Sequence, residues 1–256
     1  MLRLTPVHAE SARYAASLLF LPELWTPAEA WLPVASFLGH RGWESQLIHL
    51  RDAGDLRARV ESVTAEARRL PHPPIVIGHG AGAIVALDAA RSGAASAAVL
   101  VAPLVPGSAL VGVLTRRWDA IAASLLGRAI PPPRGAGARR VFGESPEGLD
   151  VEPARAVFDV VRGPLRTFRP LDVPTLVVAG ADDPLLPPDA AAALAAALGA
   201  EHTEIEGAAH WPILAPAWQR TAGAIHRWLV RSLGEPLLEL YAEMMAERDA
   251  AETDDE

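Results

Sequence analysis

Short runs of apolar residues alternate along the chain with longer stretches whose apolar residues recur at helical spacing. The short runs, bounded by turn residues, are Ala15–Leu21, Ser45–Leu50, Pro74–Gly78, Ala97–Ala102, Thr175–Gly180 and Thr203–Ile205. Such runs are the sequence form of a parallel sheet buried on both faces. Between them Pro27–Gly39, Asp55–Arg69, Ala81–Ser92, Pro188–Leu198 and Trp218–Leu233 predict helices, from their apolar period or their alanines. Strand and helix alternate, so the fold class is α/β, a mostly parallel central sheet flanked by helices.

The alternation breaks between Leu104 and Asp172. Helical pieces near Leu110–Leu126 and Glu152–Val161 flank a Pro/Gly/Arg-rich linker, "AIPPPRGAGARR". An insertion there would lie over the carboxyl ends of the strands, where open α/β sheets bind ligands, and is read as a lid. The other reading is a helical excursion that covers apolar surface. The expected division is therefore a core of residues 1–103 and 173–233, a helical lid of 104–172, and a C-terminal segment of 234–256. In that last segment Leu237, Tyr241 and Met244, with Leu238 and Met245, form an apolar stripe that runs into an acidic tail. Its helix packs back on the domain or offers a Met-rich face to a homodimer or protein partner.

Half of the 256 residues are hydrophobic, enough to bury the core of one large domain. With no cysteine, no lysine and no asparagine, the chain has no disulfides, thiolate metal sites, Cys nucleophile, Schiff-base chemistry or N-glycosylation. A formal charge of −8 with scattered arginines argues against a nucleic-acid partner. The N-terminal apolar run is too short to span a bilayer and lacks the order of a signal peptide, so the expected location is cytoplasmic.

The segment Gly78-His79-Gly80-Ala81-Gly82 follows one predicted strand and opens a helix. It resembles the nucleophile elbow G-x-S-x-G of the α/β-hydrolase superfamily, with Gly80 where the nucleophile would stand. "PTLVVAGADDPLLPP" resembles the superfamily's strand-then-acid segment and "TEIEGAAHWPIL" its histidine loop. The resemblance implies Asp183 as the orienting acid and His210 as the catalytic histidine, and it covers the chain from about Leu18 to Leu233. Asp182 is read as a turn residue. The first core strand of this superfamily usually ends in His-Gly; here "LLFLPELWTPAEAW" puts Pro22 and Glu23 at that point. By position the N–H groups of Leu24 and Ala81 are the surviving oxyanion donors, and a carboxylate at Glu23 has the wrong sign to assist an oxyanion.

Each candidate keeps two readings. His210 with Asp183 is a working acid/base pair or a relic held by the cost of breaking a buried hydrogen bond from one side. Glu23 is a second acid/base group facing His210, or, the commoner fate of a glutamate, a rim residue pointing to solvent. His79 is read as a packing residue, and no metal or cofactor is expected, because no ligand spacing supports one. Trp25 and Trp211 line a pocket for a small apolar or aromatic ligand, or belong to the core. No other residue can replace the missing nucleophile by sequence position, so covalent acyl or alkyl chemistry is expected to be absent. The leading expectation is a pseudohydrolase that binds a ligand or partner. The alternatives are a lyase or cyclase that moves protons with His210, Asp183 and Glu23, and a serine ester or lactone hydrolase represented by a Gly80 variant.

Overall fold

The structure, a computed structural model, describes residues 2–104, 126, 128–132, 149–162 and 169–233. Seven strands form one sheet in the order β1-β3-β2-β4-β5-β8-β9. They are β1 (Arg3–Val7), β2 (Leu18–Leu21), β3 (Ser45–His49), β4 (Ile75–His79), β5 (Ala97–Val101), β8 (Thr175–Gly180) and β9 (Glu201–Ile205). All neighbours pair in parallel except β1, which runs antiparallel to β3 at the edge.

Successive side chains of each strand feed opposite faces of the sheet. Leu19, Leu21, Val76, Ala98, Leu100 and Val177 point into one core, under helices α2 (Leu56–Ala67), α3 (Ala81–Arg91) and α5 (Pro188–Leu198). Leu18, Phe20, Ile75, Ile77, Val99 and Val178 point into the other, under α1 (Leu32–Gly39) and α6, residues 218–233. Local chemistry fixes where these helices begin. The Asp55 side chain caps α2 by accepting the Ala58 N–H at 2.9 Å, and Pro188 occupies the first turn of α5, where no N–H is needed.

The six strands expected from the sequence are all present; β8 keeps its expected ends and the other five are shifted at one or both. β1 is additional: it is half-exposed, carries Pro6, and lacks the apolar run that marks the others, which suits a protected edge strand. The expected helix from Pro27 starts as a 3-10 turn, Ala28–Trp31, before α1. Within residues 104–172 the two-stranded hairpin β6 (Ala129–Ile130) and β7 (Glu152–Pro153) leads into α4 (Ala154–Arg162). The helical piece expected at 110–126 lies outside the described residues apart from Leu126, and so does the segment 234–256.

Strand β4 passes into α3 with no slack. A Cβ on Gly78 would sit 2.6 Å from the Ala83 Cα, and one on Gly82 would sit 2.5 Å from the Pro22 carbonyl oxygen. Only backbone surrounds these positions, so neither neighbour can give way. Gly78→Ala is expected to cost about 3 kcal/mol or more, read as a lower urea midpoint at unchanged slope.

Candidate active site

Gly80 sits at the point of the turn between β4 and α3 with φ +55° and ψ −112°. This is a conformation that L side chains rarely adopt, and here no side chain has to adopt it. The loop after β2 faces the turn. Its Glu23 side chain is buried, and one carboxylate oxygen, Oε1, accepts the N–H of Leu24 at 2.5 Å and the N–H of Ala81 at 3.1 Å. These are the two donors expected to form the oxyanion hole. The other oxygen, Oε2, overlaps the place where a Cβ on residue 80 would be and lies 3.4 Å from His210 Nε2. Glu23 therefore takes both of these N–H donors and fills the volume that a side chain at residue 80 would need. Of its two readings, the solvent-facing rim position is the wrong one: the side chain is turned inward by two N–H donors and an imidazole.

His210 is fully buried, and its Nδ1 hydrogen-bonds Asp183 Oδ2 at 3.0 Å. Asp183 Oδ1 accepts the Leu185 N–H at 2.8 Å, which fixes the carboxylate at the exit of β8. Asp182, by contrast, donates its backbone N–H to the Ala208 carbonyl in the turn. The imidazole thus lies between two carboxylates. Burial alone would lower its pKa, but the hydrogen bonds to Asp183 and Glu23 outweigh burial and push it up to about 9. Burial likewise works to raise the pKa of Asp183, and the His210 hydrogen bond and charge with the Leu185 and Leu186 N–H groups bring it below its usual value.

His79 is also fully buried and donates Nε2–H to the His210 carbonyl at 2.7 Å. Burial, together with the neighbouring imidazolium, lowers its pKa to about 4, so it packs as a neutral ring. It stands 4.7 Å from the Trp211 ring and edge-on to Trp31. Among the described residues no group of three or more His, Asp or Glu side chains is placed to hold a metal ion.

Trp25 is buried. Its backbone has φ +62°, its N–H donates to Glu152 Oε1 at 3.1 Å, its indole N–H to the Ile130 carbonyl at 3.2 Å, and its carbonyl accepts the Asp150 N–H at 3.0 Å. Glu152 Oε2 in turn receives Arg59 Nη2 at 2.5 Å, with both side chains buried. This ion pair escaped the sequence reading. The signal was Arg59 itself, in register with the core-facing Leu56, Val63 and Ala67 of α2.

The charges of the site set a pH profile for stability. Between pH 4 and 6.5 the unfolded chain binds a proton at His79 that the folded chain does not, so stability rises with pH. Between 6.5 and about 9 the folded chain holds a proton on His210 that the unfolded chain has lost, so stability falls. Urea unfolding followed against pH should peak near 6.5. The alkaline limb is worth roughly 3 kcal/mol, and Glu23→Gln should flatten it.

The model of the alpha/beta hydrolase family matches residues 8–222. Three solved structures share the fold at low identity. The monoacylglycerol lipase of Paleococcus ferrophilus is 17% identical, with a TM-score of 0.68 over 91% of this chain and 99% of that one. A soluble variant of the Saccharomyces cerevisiae monoglyceride lipase, bound to a substrate analogue, is 15% identical, with a TM-score of 0.69 over 90% and 91%. A thermophilic esterase from Thermogutta terrifontis is 18% identical, with a TM-score of 0.65 over 90% and 93%. A search of curated proteins finds no match. With its sheet order, its tight strand-turn-helix at Gly80 and the match over residues 8–222, the chain belongs to the alpha/beta hydrolase family.

Proposed function

We propose that this chain performs no acyl transfer and acts by binding, as a pseudohydrolase whose reaction centre has become a closed ionic unit. One observation carries the reading: the Glu23 carboxylate takes both oxyanion donors and the space of the residue-80 side chain. Acyl transfer needs a nucleophile and free N–H donors aimed at the developing oxyanion. Gly80 supplies no nucleophile, and a fixed negative charge stands where the oxyanion would form. Residues 104–172 are read as the lid over a small-molecule site, and residues 234–256 as the surface for a protein partner or second copy.

This arrangement also weighs against a serine hydrolase represented by a Gly80 variant, since a serine at 80 would collide with Glu23. Gly80→Ser alone is expected to lose stability and to resist a fluorophosphonate probe. The double variant Gly80→Ser, Glu23→Gly clears the hole, and if His210 and Asp183 keep their geometry it should label. Hydrolysis of a short-chain aryl ester by the unaltered chain, lost on His210→Ala, would sink the proposal.

A second reading, noncovalent proton transfer by His210 and Glu23, draws on one distance. The 3.4 Å between His210 Nε2 and Glu23 Oε2 is long for a charge-assisted hydrogen bond, which normally measures about 2.7–2.9 Å. A lyase or cyclase working through this pair should show turnover that titrates with His210 and vanishes in both His210→Ala and Glu23→Gln. Turnover surviving either change would exclude it.

A further inference from the structure

A cavity of about 150 Å³ shares the loop after β2 with the site, being lined by Pro22, Trp25 and Thr26 but by none of Glu23, Gly80 and His210. At roughly 30 Å³ per water it has room for about five waters, or one small organic molecule. Its other walls bring together groups of both signs. Arg3 on β1 stands directly opposite His49 on β3 in the antiparallel ladder, so the two side chains share one face. Glu29, from the 3-10 turn, places Oε1 3.7 Å from His49 Nε2. Arg51 closes another side in an ion pair with Asp150.

The charges in this cavity are unevenly matched. Arg51 is taken by Asp150 and flanked by Asp52 at 3.9 Å, and Glu152 is taken by Arg59. His49 bonds Thr5 Oγ1 at 2.9 Å. Burial holds its pKa below the usual value, with Glu29 opposing that shift and Arg3 adding to it, so near neutral pH it leaves the Glu29 carboxylate without a cationic partner. The Arg3 side chain has no hydrogen bond or ion pair among the described residues. An acid and a base thus face the same histidine across the same cavity, yet they do not come within ion-pair distance of each other.

We propose that this cavity binds a small zwitterion of α-amino-acid type, its carboxylate toward Arg3 and its ammonium toward Glu29. Such a ligand satisfies both unmatched groups at once, where a simple anion or cation satisfies one and leaves the other facing a like charge. Trp25 and Leu50 add apolar residues to the wall, which suits a short side chain. The proposal goes beyond the binding reading given above, because this cavity excludes Glu23, Gly80 and His210.

The test is titration calorimetry of the whole chain with L-alanine, and with acetate and methylammonium as half-ligands. Saturable binding of alanine is expected, with both half-ligands at least tenfold weaker. Arg3→Gln and Glu29→Gln should each weaken alanine binding at least tenfold while leaving the far-ultraviolet spectrum and melting temperature of the free protein unchanged. Because Arg3 is exposed and the Glu29 side chain half-exposed, these variants should fold. Acetate binding as tightly as alanine, no saturable heat with alanine, or binding indifferent to both substitutions would each overturn the proposal. Ester hydrolysis by the unaltered chain would defeat the noncatalytic reading and leave an alanine result standing, so the two can fail separately.

Discussion

One carboxylate organises the centre of this molecule. Glu23 Oε1 is held by two backbone N–H groups, from the loop after β2 and from the first residue of α3, while Oε2 faces an imidazole that a second carboxylate also grips. A buried charge is tolerable only when paired and hydrogen-bonded, and here each member satisfies the next. The loop, the elbow and the histidine segment come from distant parts of the chain, and this unit ties them into one arrangement. Both N–H groups are thereby spent on the fold.

A second ionic unit, Arg59 with Glu152, holds the other end of the loop. Glu152 also accepts the Trp25 N–H, so a buried pair between α2 and β7 positions a tryptophan whose left-handed backbone costs on the order of 1–3 kcal/mol. Hydrogen bonds from Trp25 to Ile130 and from Asp150 to Trp25 reinforce it. The loop carrying Glu23 is therefore clamped at one end by the elbow and at the other by the β6/β7 hairpin. Residues that never touch His210 thus fix where Glu23 can point.

Much of this was legible from sequence because it depends on local patterns. Gly78 and Gly82 are demanded by backbone approach, and the meeting of Asp183 with His210 was implied by the resemblance of their segments to the superfamily's acid and histidine loops. Leu24 and Ala81 as N–H donors also followed from position. The direction of the Glu23 side chain did not, because nothing in a sequence tells a carboxylate at a loop from one aimed inward. Only the vacancy at Gly80, across the loop, makes the inward rotamer fit. β1 was missed for a related reason: an edge strand with Arg3 and Pro6 owes its place to pairing with β3 and carries no apolar signature of its own.

The fit between Glu23 and Gly80 also bears on which substitutions this protein can accept. A side chain at position 80 collides with Glu23, and removing Glu23 alone leaves a buried imidazole without one of its two carboxylates and two N–H groups without an acceptor. Each single change at one of these positions is thus penalised by the residue that has not changed. Two loops far apart in the sequence are in effect one unit, and neither can be altered without an answering change in the other.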